Sequence, residues 1–239
     1  MLESLILTLE KRGVISSADV PVLKDLISHV DTVPGNLVVQ RRGSLVTQSI
    51  ILLEGLFARS RDLNDGDRQI TALHVPGDFV DLHSFVLKRL DHDLLALAPS
   101  RIALVPHARI HRLTETNPHL TRLLWFLSGI DASIHREWEL SLGQRFGTVR
   151  AAHLFCEMHA RLDVVDQVDA GGFALPMNQA ELAQCLGLTV VHTNRVLREL
   201  READLVRFSG GRVAIPDLAR LRSFADFDPD YLHLEALPG

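Results

Sequence analysis

An α+β protein in three parts is what this sequence predicts: an N-terminal antiparallel β-roll, one long helix, and a C-terminal winged helix-turn-helix. Three observations carry that expectation. Between Asn36 and Pro106, short β-rich runs separated by turn residues recur at a spacing of about ten residues. From Asn117 to about Gln144, apolar residues recur every three or four positions. From Asn178 to Ile215, two short amphipathic patterns meet at Gly187 and are followed by two short apolar runs joined by Ser209-Gly210-Gly211.

In chain order, residues 2–12 and 19–30 have apolar side chains at helical spacing (Leu2, Leu5, Ile6, Leu9; then Val20, Leu23, Leu26, Ile27) and are expected to form two short helices. The texture changes after Val33-Pro34-Gly35. Runs at 37–42, 49–55, 56–63, 68–75 and 94–106 read as strands, with a hairpin tip at Asn64-Asp65-Gly66-Asp67, which argues an antiparallel barrel or jelly roll. Residues 107–116 read as a short helix, and Asn117-Pro118 opens the next, with proline near its first turn.

The long helix has Leu120, Leu123, Leu127, Ile130, Ile134 and Trp138 on one stripe together with Leu124, the pattern of a two-stranded coiled-coil seam. These six are the expected dimer interface. A helix packed only on its own roll would show the same stripe. Residues 145–166 form a further amphipathic pattern (Phe146, Val149, Leu154, Phe155, Met158, Leu162), which Gly171-Gly172 ends, and residues 217–224 could form one more short helix. The expected division is a roll with its N-terminal helices at 1–116, the long helix at 117–144, a DNA-binding domain at 145–222 and an acidic tail at 223–239.

The pair of patterns around Gly187 is where chemistry is legible. A glycine turn between two short helices is the helix-turn-helix arrangement, whose second helix can lie in the DNA major groove. Thr189 is placed to cap that helix, since its hydroxyl can accept from an unpaired first-turn N–H. Val190, Val191, His192, Asn194 and Arg195 then fall at or near its N-terminal end, with Arg198 one turn further on. Arg195 suits the two acceptors of guanine, and Asn194 the donor and acceptor of adenine. A helix–Gly–helix pair alone also fits a structural hairpin. The two runs that follow, carrying Arg207 and Arg212, form a basic β-hairpin, and that wing favours DNA.

Composition narrows the alternatives. At 239 residues and 46% hydrophobic the chain can bury a substantial core, and no apolar run is long enough for a transmembrane helix. Glu3 near the start and the lack of a small-residue cleavage site argue against a signal peptide, so a cytoplasmic location and no membrane partner are expected. Two distant cysteines, Cys156 and Cys185, support neither a disulfide framework, a zinc site nor a four-cysteine iron–sulfur cluster, and read as buried small apolar residues. The net charge of −5 is unevenly spread: +1 over 145–222, −2 over 1–144 and −4 over 223–239. Affinity for DNA must then come from the local placement of arginines.

Order and motifs together resemble the CRP/FNR superfamily of bacterial transcription regulators over essentially the whole chain. The residues that carry this are Val75-Pro76-Gly77-Asp78-Phe79 in the roll, Gln179-Ala180-Glu181-Leu182-Ala183, Gly187-Leu188-Thr189 and Asn194-Arg195-Val196-Leu197. The resemblance implies a cyclic-nucleotide-binding-like jelly roll, a homodimer on a palindromic double-stranded DNA site, and contact with RNA polymerase. It also matches Arg195 to the family's base-contacting arginine and Thr189 to a position that caps the helix and touches phosphate. The expected mechanism is a homodimer whose roll domains bias a hinge near Gly143 to Gly147 and so set the spacing of the two recognition helices. Where many members carry an acidic residue, this chain has Val191, with His192 beside it. A half-site different from TGTGA or TTGAT is expected, with thymine methyls against the valines.

The candidate effector pocket comprises Gly77, Asp78, Phe79, Asp81, Lys88, Arg89 and His92. Family members that bind cyclic nucleotides hold the phosphate with an Arg-Ser or Arg-Thr pair. Asp91-His92-Asp93 stands in that place here, so cyclic AMP is not expected, although Lys88-Arg89 lie just upstream. The effector is left unknown. His107 and His111, four apart on one helix, suggest a haem or metal sensor as an alternative, but spacing supplies no third ligand, and no metal site is assigned. A cupin metalloenzyme would need a His-x-His pair, which the sequence lacks, so the chain is not expected to be an enzyme.

Overall fold

The computed structural model describes residues 2–64 and 66–235. Asp65 of the expected hairpin tip and positions 236–239 of the expected tail lie outside the described residues. Two helices, α1 (Glu3–Lys11) and α2 (Asp19–Asp25), lead into strands β1 (His29–Val33), β2 (Leu37–Gln40), β3 (Gln48–Glu54), β4 (Phe57–Asp62) and β5 (Arg68–His74). A short helix α3 (Ser84–Leu87) precedes β6 (Asp93–Ala96) and β7 (Ser100–Pro106). All pairings are antiparallel and make two facing sheets, β1-β7-β3 and β2-β6-β4-β5, so the roll is as expected.

The second helix stops at Asp25, short of the expected 30, and residues 29–33 form a strand instead. The cause is tertiary. Val30, Thr32 and Val33 are β-branched, and the edge of β7 offers a ladder from His29↔Leu104 to Val33↔Ser100 that outweighs the local apolar spacing. Strand β3 shows how the period of two divides the molecule. Ile50 and Leu52 enter the core between the sheets with Phe57 and Leu94, whereas Ile51 and Leu53 face a second core formed with α1, α2 and the helices after the roll. Phe57 and Leu94 are fully buried, each worth roughly 1.5–3 kcal/mol.

After the roll come α4 (His107–Thr116), α5 (Pro118–Gln144) and α6 (Gly147–Val164). Asn117 caps α5 by accepting from Leu120 N–H at 3.0 Å, with Pro118 in the first turn. Leu120, Leu123, Ile130 and Trp138 are buried within the protomer, and Leu127 and Ile134 pack half-buried on the same cores. The expected seam is therefore corrected: this stripe faces the chain's own roll and C-terminal domain. Periodicity reports that one face of a helix is covered, not what covers it.

The opposite face, at 100° per residue, carries Trp125, Gly129, Ala132, Arg136, Leu140 and Gly143. Trp125 is 76% exposed, Leu140 48% and the following Phe146 86%. Nothing lies within 4 Å of where a Cβ would stand at Gly129 or Gly143. Between α5 and α6 the chain is extended at Arg145 and Phe146, where the hinge was expected. The Arg150 guanidinium gathers the carbonyls of Ser141, Leu142, Arg145 and Leu186 there, tying the end of α5 to the helix-turn-helix.

The C-terminal domain holds β8 (Val168–Asp169), β9 (Gly172–Ala174), α7 (Gln179–Leu186), α8 (Val190–Glu202), β10 (Arg207–Ser209), β11 (Arg212–Ala214) and α9 (Leu218–Ala225). Its sheet order is β10-β11-β9-β8, so Gly171-Gly172 is a hairpin turn and not merely a helix break. Gly172 has φ +114, and a Cβ there would stand 1.9 Å from the Val213 carbonyl oxygen. Helix α9 crosses the expected boundary at 222. The segment after it packs, with Leu232 buried and the Tyr231 hydroxyl donating to Glu157 at 2.9 Å.

Candidate nucleic-acid interface and sensor cavity

Helix α7 begins with a capping box. Asn178 Oδ1 accepts from Ala180 and Glu181 N–H at 2.9 Å each, and Glu181 accepts from Asn178 N–H at 2.7 Å. Gly187 ends it in the left-handed region at φ +60, a conformation glycine adopts without steric cost. Thr189 then caps α8 as expected, its hydroxyl accepting from His192 N–H at 3.2 Å. Thr193, Val196 and Leu200 bury the inner face of α8, which leaves Val190, Val191, Asn194, Arg195 and Arg198 exposed on the outer one. His192 is half-buried, and its Nε2 lies 3.4 Å from an Arg195 Nη.

Arg195 is 61% exposed at the side chain, and a Glu199 carboxylate 3.6 Å away is its ion-pair partner. Such exposed i,i+4 pairs contribute only a few tenths of a kcal/mol, so the guanidinium is free to exchange partners. Strands β10 and β11 pair from Arg207↔Ala214 to Ser209↔Arg212 through Gly210 and Gly211, both at positive φ, which makes the wing. Its arginines are tethered at the surface, Arg207 to Asp204 at 2.9 Å and Arg212 to Asp169 at 2.5 Å. The roll meets this domain directly, because Gln69 on β5 donates to the Gln184 carbonyl of α7 at 2.6 Å.

A cavity of about 240 Å³ lies between the roll, α1, α5 and α6. Gly77, Asp78 and Phe79 line it as expected, but the other expected pocket residues do not. Asp81 is fully buried elsewhere, accepting from Ile50 N–H at 2.7 Å and from Ser84 at 3.3 Å, and burial pushes its carboxyl up to about 6. Lys88 is turned over the Phe85 ring at 4.7 Å, and Arg89 donates to the Gly43 carbonyl. His92 faces a neighbouring cavity. The pocket assigned from one stretch of chain splits after Phe79, because Asp81 turns inward and α3 separates it from Lys88, Arg89 and His92.

The cations that do line the cavity are Arg12, Arg59 and Arg161, none of them singled out from the sequence. Arg59 had a signal: it shares the inward parity of Phe57 on β4, where a charge needs a partner. It has one, donating to both Asp131 oxygens at 3.0 and 2.7 Å and to the Val80 carbonyl. Arg161 donates to Asp78 at 2.6 Å, Glu157 at 3.0 Å and the Leu73 carbonyl at 2.9 Å. Arg12 is taken up by the carbonyls of Thr8, Leu232 and His233. Every guanidinium facing the cavity thus has protein partners, and a phosphate would have to displace them.

Burial pushes the Asp78 carboxyl up, but the Arg161 guanidinium and His74 outweigh it and hold it down to about 2. His74 is driven down to about 4 by burial and by Arg59. The same two causes lower His83 to about 4 and also depress His92. His107 and His111, the pair considered as an alternative, are not brought together. His107 is buried, with Nε2 3.2 Å from Ser49 and 3.3 Å from Ser84, whereas His111 is exposed beside Glu115. Cys156 and Cys185 are buried, and burial raises both thiols, Cys156 to about 12.

A capped second helix with an exposed arginine near its N-terminal end, a wing beside it and a β-roll docked on the first helix of the pair are the parts of a DNA-binding regulator. Comparison with known proteins agrees. Residues 149–224 match the Crp-like helix-turn-helix domain, and residues 31–117 the cyclic nucleotide-binding domain. The chain belongs to the CRP/FNR superfamily, a family of transcription regulators and not of enzymes. It is 29% identical over 175 residues to a "Probable transcriptional activator" of Rhizobium leguminosarum bv. viciae, covering 71% of this chain and 70% of that one. It is 25% identical over 183 residues to the transcriptional activator protein FnrL of Cereibacter sphaeroides, covering 75% and 73%. The solved structure of FixK2 from Bradyrhizobium japonicum superposes with a TM-score of 0.72 at 21% identity, over 90% of this chain and all of that one, which shows a shared fold. No helix of the described residues is long and apolar enough to cross a membrane.

Proposed function

We propose that this CRP/FNR-type regulator acts in the cytoplasm as a homodimer that reads a two-fold symmetric DNA site with α8 and meets RNA polymerase there. The observation that carries the reading is the exposed, capped N-terminal half of α8, with Arg195 held only by surface partners. Two such helices read successive major grooves when they sit about one duplex turn apart. The face of α5 with Trp125, Gly129, Ala132 and Leu140 supports a second copy as its partner, since small residues let two helices approach and an exposed tryptophan supplies buried area.

Asp91 and Asp93 where a phosphate clamp would stand, and the occupied guanidinium groups of the cavity, argue against cyclic AMP as effector. Sequence selection from a random duplex pool, followed by fluorescence anisotropy, tests the DNA reading. A palindrome with half-sites other than TGTGA and TTGAT is expected, with affinity falling at least about 30-fold in Arg195→Ala, since a homodimer loses one bidentate base contact of about 1–3 kcal/mol in each half-site. Recovery of either standard half-site, or equal affinity of the variant, would overturn it.

A further inference from the structure

The loop before β6 folds back on α3 and brings together three side chains of the roll. One donor atom from each of His83, Asp91 and His92 lies within 4.8 Å of the other two. The two imidazole rings are 5.2 Å apart, and Asp91 Oδ1 sits 2.6 Å from His92 Nδ1, which fixes that ring. His92 is 9% exposed at the side chain, and Nε2 of both His92 and His83 is buried without a hydrogen-bond partner. Two orphaned ring nitrogens side by side are costly unless something accepts their lone pairs. They border a cavity of about 310 Å³, whose wall on α5 carries His135. His135 Nδ1 is engaged by the Asp131 carbonyl at 3.0 Å, so Nε2 is its remaining donor atom.

We propose that His83, His92 and Asp91 form a binding site for a divalent transition-metal ion of the zinc class. Two imidazoles and one carboxylate suit zinc, iron or cobalt and not magnesium or calcium, which favour all-oxygen shells. Tetrahedral coordination at roughly 2.1 Å sets ligand atoms about 3.4 Å apart, so the widest pair has only to close by about 1.4 Å. Rotation of a histidine ring and the exposed Asp91 side chain supplies that movement. Ligation by Asp91 exchanges its contact with His92 Nδ1 for the ion, a movement its exposed side chain allows. The sequence hides the site because its members are eight and nine residues apart across a helix and a loop, without a recognisable ligand spacing.

The site goes beyond the DNA reading and does not depend on it. The test uses the full-length chain stripped by chelator, titrated with Co²⁺ by visible absorption and with Zn²⁺ by calorimetry. One ion per chain is expected at micromolar affinity or tighter, with tetrahedral cobalt bands that Zn²⁺ abolishes and Mg²⁺ leaves unchanged. His92→Ala and His83→Ala should each weaken binding at least about 100-fold and Asp91→Asn about 10- to 100-fold, while His111→Ala binds as the parent does. Asp91 is 82% exposed, so Asp91→Asn stays informative if a histidine variant misfolds. No saturable binding at one ion per chain, or equal affinity in parent, Asp91→Asn and His92→Ala, would overturn the site. DNA affinity of the stripped protein is measured separately, so failure of one reading leaves the other standing.

Discussion

Replacing Arg161 by methionine removes the cation that bridges Asp78 and Glu157 in a buried cluster joining the roll to the C-terminal domain. Arg161 is 7% exposed and bridges Asp78 after β5 to Glu157 on its own helix, itself 1% exposed. Trp138 Nε1 donates to both Glu157 oxygens and Tyr231 to one, so α5, α6 and the C-terminal segment meet on one carboxylate. Without Arg161 two carboxylates stay in place and the Leu73 carbonyl loses a donor. Breaking a buried pair from one side costs about 3–5 kcal/mol, even where the intact pair adds little net stability. For a chain of this size that lowers Tm by roughly 6–20 °C.

Urea and thermal unfolding at pH 7 and pH 5 measure the effect. The sign at lower pH follows from Asp78, held at about 2 by Arg161 against the upward push of burial. In the parent its contribution is present above the unfolded value of about 3.9 and is lost only as pH falls toward 2. In the variant the upward push is no longer opposed by Arg161, Asp78 protonates at higher pH, and the deficit shrinks from pH 7 to pH 5. A Tm drop under about 2 °C, or a deficit that grows on acidification, would refute the reasoning.

Other outcomes follow from the same structure. His153 is pushed down to about 3 by burial and Arg145, and His74 to about 4, so both are neutral when folded but protonate below about 6.5 when unfolded. Stability is therefore full above that value and is lost as pH falls toward 4 and 3. His153→Phe, which keeps the ring contacts with Phe227 and Tyr231, should flatten the acid limb by about 2–3 kcal/mol at pH 4.5 in a urea series. Gly172→Ala drives a Cβ against Val213 in a left-handed conformation, and should cost at least about 3 kcal/mol and abolish DNA binding, seen by circular dichroism and anisotropy. Trp125→Glu should shift sedimentation from dimer toward monomer while the isolated protomer's stability changes by less than about 0.5 kcal/mol, because Trp125 is exposed there. Val191→Glu should move base preference at one half-site position toward cytosine by about 1–3 kcal/mol in a substituted-duplex panel.

The sequence alone determined whatever depends on local chemistry and short repeats. The roll strands, the long helix, the Thr189 cap, the Gly187 turn and the wing were legible because turn residues, capping hydroxyls and apolar periods act over a few neighbours. Tertiary structure decided the rest. Residues 29–33 became a strand because β7 had an edge to fill, and the α5 stripe turned inward because the roll and the C-terminal domain already cover it. Arg150 and Arg161 look like ordinary charged positions in the sequence, and Arg59 shows only its inward parity on β4, yet each organises carbonyls or carboxylates brought from distant segments. His83 and His92 came together in the same way, since a loop's path and the burial of a ring nitrogen belong to no single stretch of residues.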